Sequence, residues 1–141
     1  MTMNLSQLQT QYENGKRNFR GADLSGLDLQ GMHLVSADFS YAKLAGTNLG
    51  RADLRWTKLL GADLSHANFE YSDLRRSSLR HADLTHANLH AADLRAANLF
   101  GAHLVGSLLA EADLWGAIAP DGFTVSFDML QGVASALAAV G

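Results

Sequence analysis

Leu or Phe recurs at every fifth position from Phe19 to Leu114: Phe19, Leu24, Leu29, Leu34, Phe39 and onward, twenty times without insertion or miss. Each marks the centre, i, of a five-residue unit, and the units run from residue 17 to residue 116. Position i−2 is Ala in twelve units and Ser or Thr in five more; position i−1 is Asp in nine and Asn in five. Position i+2 is Gly in eight, including Gly21, Gly26, Gly31, Gly61 and Gly101. The repeated phrase is Ala-Asp/Asn-Leu-x-x, as in Ala22-Asp23-Leu24 and Ala87-Asn88-Leu89.

Five fits neither common regular structure. On an α-helix a step of five turns the leucine by ~140°, so leucines would surround the axis. On an unbroken strand an odd period sends successive leucines to opposite faces. The pattern works when the chain turns a corner in every unit. Positions i and i−2 then point inward from a short extended segment, and i−1, i+1 and i+2 face solvent or build the corner. Asp and Asn bond nearby backbone in turns, and Gly tolerates positive φ. Coils of this kind stack at ~4.8 Å and pair their backbones, which makes an all-β solenoid.

These units resemble the pentapeptide-repeat protein family. The resemblance covers 17–116 and implies a right-handed quadrilateral β-helix with four units per coil. Twenty units then make about five coils, roughly 24 Å of rise. Short helices commonly cap both ends in that family.

The flanks read accordingly, and 1–141 is expected to be a single domain. Residues 1–16 form an N-terminal helical cap, with a helix over 4–14 capped by Asn4 or Ser6, with Gln7 or Gln9 three residues on, and ended by Gly15. Leu5, Leu8 and Tyr12 share one face, suited to covering the first coil. Residues 117–141 form a turn at Pro120-Asp121-Gly122 and a C-terminal helical cap over about 127–139. Phe123, Phe127, Leu130, Val133 and Leu137 make that tail more apolar than a cap requires. They are candidate cap contacts and, by resemblance to members that dimerise through their C-termini, candidate homodimer contacts.

Charge changes the picture little. The formal net charge is −3, and the repeat carries ten Lys/Arg against eleven Asp/Glu. That balance argues against direct nucleic-acid binding. The N-terminus lacks an apolar signal core and no run approaches transmembrane length, so no membrane association and cytoplasmic residence are expected. There are no cysteines, hence neither disulfides nor thiolate chemistry.

At four units per coil, residues twenty apart stack in columns. The face centred on Leu34, Leu54, Leu74, Leu94 and Leu114 then carries an i−1 column of His33, Asp53, Asp73, Asp93 and Asp113. Its i+1 column is Val35, Arg55, Arg75, Arg95 and Trp115. A carboxylate ladder beside a guanidinium ladder neutralises itself, and exposed pairs are individually weak. With Trp56, Arg76 and Trp115 alongside, the same face is a candidate docking surface for a protein partner, since Arg and Trp are frequent interface anchors.

His66 and His86 fall in one column, with His81 on the preceding corner and His90 on the next face. Only Asp63 and Asp83 lie nearby as further donors, short of a four-ligand zinc site, so no metal and no cofactor are expected. No phosphate loop, nucleophile motif or deep concavity suggests an enzyme. The expected role is a non-catalytic interaction or scaffold module. The family resemblance implies an alternative, a DNA mimic that binds a type II topoisomerase (gyrase). The near-neutral charge, short rod and uninterrupted repeat depart from it.

Overall fold

The structure is a computed structural model that describes residues 2–126. The expected C-terminal helix over about 127–139, with Phe127, Leu130, Val133 and Leu137, lies outside the described residues. Each i−1 residue pairs in parallel with the residue twenty positions on: Asn18 with Asp38, Asp23 with Lys43, Asp28 with Asn48, His33 with Asp53, continuing to Asn98 with Ile118. A register of twenty is four five-residue units per coil, so the chain is a solenoid.

Three recurrent backbone bonds stitch one coil to the next. The Phe19 N–H donates to the Asp38 carbonyl at 2.7 Å, and the Gly21 N–H to the Ser40 carbonyl at 3.0 Å. The Asp38 N–H donates back to the Arg17 carbonyl at 2.7 Å. Within a coil, the Ala22 N–H closes onto the Phe19 carbonyl at 3.1 Å, making each corner a four-residue turn.

The third residue of that turn is position i+2, and it has positive φ in all twenty units. Eight of these residues are Gly; the other twelve include Tyr41, Trp56, His66, Arg76, Ala91, Ala96 and Glu111. A left-handed side-chain-bearing residue costs roughly 1–2 kcal/mol, so the stacked backbone imposes the corner on residues that would not choose it. At Gly101 the exposed His81 ring of the preceding coil lies over the space a Cβ would take, so a side chain there would push that ring aside.

All fourteen Asp and Asn residues at i−1 accept the backbone N–H two residues on, as Asp63 does from Ser65 at 3.1 Å and Asn88 from His90 at 3.0 Å. At i−2, the hydroxyls of Thr47, Thr57, Ser77 and Ser107 each donate to the carbonyl three residues back at 2.7 Å. Ser72 is the fifth hydroxyl at this position, and its buried Oγ has no partner among the described residues. The central leucines and phenylalanines fill the interior with the i−2 alanines.

The N-terminal helix α1, Leu5–Glu13, is capped by Asn4, whose Oδ1 accepts the Gln7 N–H at 2.8 Å while Gln7 Oε1 accepts the Asn4 N–H at 2.9 Å. Leu8 is fully buried, and the half-buried Tyr12 donates its hydroxyl to the Val35 carbonyl at 2.9 Å. Leu5, at the first position of the helix, does not join them and is 36% exposed. Before the helix, Thr2 pairs in parallel with Asp23, the Met3 N–H reaches the Asp23 carbonyl at 3.0 Å, and Met3 is buried. That short piece of extended chain had no periodic signal.

At the other end the stacking runs past residue 116. Ala117 and Ala119 are buried, and Ile118 stays in register with Asn98. Pro120-Asp121-Gly122 then reverses the chain as expected. The Val125 N–H bonds the Ala117 carbonyl at 2.7 Å, the Gly116 N–H bonds the Val125 carbonyl at 2.8 Å, and Ile118 pairs antiparallel with Thr124. Val125 is buried, whereas Phe123 is 65% exposed.

Candidate interaction face

The twenty-residue register brings Asp53, Arg55, Asp73, Arg75, Asp93, Arg95 and Asp113 onto one face. Their i−1 members are directly bridged, Asp53 to Asp73 to Asp93 to Asp113. Within each unit the arginine forks onto its own aspartate. Arg55 Nε and Nη2 donate to Asp53 Oδ1 and Oδ2 at 2.8 and 2.7 Å. Arg75 does the same to Asp73 at 2.9 and 2.6 Å, and Arg95 to Asp93 at 2.8 and 2.6 Å.

Each guanidinium also reaches across to the next coil. Nε of Arg55 stands 3.7 Å from Asp73 Oδ2, that of Arg75 3.5 Å from Asp93 Oδ2, and that of Arg95 3.6 Å from Asp113 Oδ2. The two ladders expected from the columns are therefore one zipper of alternating sign. It runs from Asp53 to Asp113, and Nδ1 of His33 lies 3.9 Å from Asp53 Oδ2 at its start.

The electrostatics follow the geometry. The Arg55 hydrogen bonds hold the Asp53 carboxyl below the usual carboxylate range, against a smaller opposing effect of burial. Arg95 does the same for Asp93. Reciprocally, Asp53, Asp73 and Asp93 raise the pKa of Arg55, Arg75 and Arg95. The face is cross-braced and close to neutral.

Two indoles flank it, both about half exposed: Trp56 at 56% and Trp115 at 53%. The Arg76 guanidinium sits 5.2 Å from the Trp56 ring centre, a cation–π stack between successive corners. Trp115 occupies the place one coil beyond Arg95 in the arginine column. The structure thus gathers all ten residues read as a candidate surface. Phe123, the described member of the tail set, lies on the terminal hairpin.

The histidines behave differently. The rings of His66 and His86 stack with centroids 5.1 Å apart, and His90 packs edge-on against Tyr71 while Nε2 approaches Glu111 at 3.6 Å. Among the described residues no three His, Cys, Asp or Glu side chains converge in a way that could hold a metal ion.

The five-residue repeat is shared with known proteins. A family model described as pentapeptide repeats matches at residues 18–55, 47–86, 62–99 and 87–119. Among solved structures, a pentapeptide repeat protein of the Arabidopsis thaliana thylakoid lumen is 34% identical, with a TM-score of 0.54, over 77% of this chain and 72% of that one. The pentapeptide repeat protein Rfr23 of the cyanobacterium Cyanothece 51142 is 28% identical, with a TM-score of 0.48, over 77% of this chain and 90% of that one. QnrB1, a plasmid-mediated fluoroquinolone resistance protein, is 19% identical, with a TM-score of 0.35, over 73% of this chain and 66% of that one. No curated protein matches the chain. On the family match and the Arabidopsis likeness together, the chain belongs to the pentapeptide repeat family.

Proposed function

We propose that this protein is a non-catalytic scaffold whose Asp–Leu–Arg face docks another protein. The observation that carries the reading is the cross-braced zipper from Asp53 to Asp113 with exposed Trp56 and Trp115 beside it. Its charged groups are already ordered by one another, so a partner meets a patterned surface with little further side-chain entropy to lose. Tryptophan supplies contact area at low conformational cost, and arginine supplies planar, directional donors. A DNA-mimic reading asks for a run of uncompensated carboxylates, whereas here Arg55, Arg75 and Arg95 lie between Asp53, Asp73, Asp93 and Asp113.

The test places a photo-crosslinking amino acid at Trp56 or Trp115 of the full chain, with Ser25 and Gln30 on other faces as controls. Exposure to an extract of the source cells should yield a discrete adduct from the two tryptophan positions and none from the controls. Equal labelling from all four positions, or none from the tryptophans, would contradict the reading.

A further inference from the structure

The zipper contains a repeated motif that changes at its last step. In three successive coils an aspartate is followed two residues later by the arginine that forks onto it: Asp53–Arg55, Asp73–Arg75 and Asp93–Arg95. In the fourth coil Asp113 is followed by Trp115. Asp113 accepts the Trp115 backbone N–H at 3.1 Å and, among the described residues, meets only the flank of Arg95, at 3.6 Å from Nε. Its side chain is 49% exposed, against 20%, 28% and 27% for Asp53, Asp73 and Asp93. Beyond Asp113 the sequence contains neither Lys nor Arg. Among the described residues the zipper therefore holds four carboxylates and three guanidinium groups.

We infer that Asp113 and Trp115 are the docking point for an arginine side chain of the protein partner. This rests on the scaffold reading above and names the chemistry its partner must present. The incoming guanidinium forks onto the Asp113 carboxylate as the three resident ones fork onto theirs. Its planar group or aliphatic stem lies against the exposed Trp115 indole, as Arg76 lies against Trp56. Arginine suits the site better than lysine because the resident contacts are two-pronged, which an ammonium cannot reproduce. The other half of the arrangement, the indole, belongs to the same unit as the carboxylate, so one partner residue engages both.

The test titrates N-acetyl-arginine amide into the full-length protein and follows the two indole N–H resonances by NMR. The Trp115 signal should shift saturably, while that of Trp56, already stacked by Arg76, should move several-fold less. N-acetyl-lysine amide should shift Trp115 several-fold less than the arginine probe. Asp113→Asn should reduce the Trp115 response several-fold while keeping the corner, since Asn98 holds the Phe100 N–H at 3.0 Å in the same way. A second variant, Trp115→Arg, should extend the zipper by one resident fork and abolish crosslinking at a probe placed on Trp56.

A Trp115 response that survives Asp113→Asn, or equal responses to the two amides, overturns the inference. Its failure is distinguishable from that of the scaffold reading. Crosslinking at Trp56 and Trp115 without arginine selectivity removes only the inference, and selectivity without crosslinking removes the scaffold reading.

Discussion

At the scale of single residues, the fold sets backbone conformation and side chains adapt. Ala96 and Ala97 are neighbours with opposite needs: Ala96 has φ of 60°, while Ala97 is buried at the inward i−2 position. Ala96→Gly should raise stability by about 0.5 kcal/mol, the left-handed penalty outweighing glycine's entropy. Ala97→Gly should lower it by about 1 kcal/mol through lost burial and added freedom. Urea unfolding of the two variants checks the contrast. The hydroxyls offer a second pair. Ser72→Ala removes a buried Oγ without a partner and should gain about 1 kcal/mol. Ser77→Ala loses the bond to the Leu74 carbonyl and should cost about 1 kcal/mol, read from the shift in denaturation midpoint. Nothing in the structure explains why Ser72 alone of the five lacks a partner.

At the scale of the unit and its ladders, legibility depended on repetition. Leucine positions and i−2 alanines were legible because twenty copies report the same inward geometry. The Asp/Asn turn role was legible because its chemistry is local, two residues long. Corner strain was only partly legible: Gly marks eight corners, but Trp56 and Arg76 adopt the same φ because stacked neighbours impose it. The columns of Asp and Arg were also legible, but not their slant. Whether a guanidinium also nears the following coil depends on side-chain direction, which periodicity does not encode. Met3 was invisible, since one apolar residue has no period, and Ile118 was missed because Ala at the next centre hides a continuing unit.

The zipper gives this scale its prediction. Asp53 and Asp93 have lowered pKa in the folded protein. Their contribution is full above the unfolded carboxylate value of about 3.9 and is lost as pH falls through the lower folded values. The protein should lose stability steeply as pH drops below about 4. Asp53→Asn with Asp93→Asn should flatten that part of the curve. Thermal melts across the acid range measure the slopes.

At the scale of the whole molecule, the solenoid works as a rod that displays columns. Helix α1 and Met3 close the first coil, and the Ala117–Val125 hairpin folds back on the last. Between these ends the same interior supports four surfaces of different composition, so function can reside in one column set without touching the core. The Asp–Leu–Arg face should be ordered before any partner arrives. The most direct measurement is NMR of the arginine Nε–H groups in the isolated full-length protein. Arg55, Arg75 and Arg95 should give sharp, dispersed signals with slow hydrogen exchange, unlike Arg51 and Arg80, which lie over the Tyr71 and Phe100 rings but donate to no carboxylate among the described residues. Averaged, rapidly exchanging signals from all five arginines would contradict this ordering.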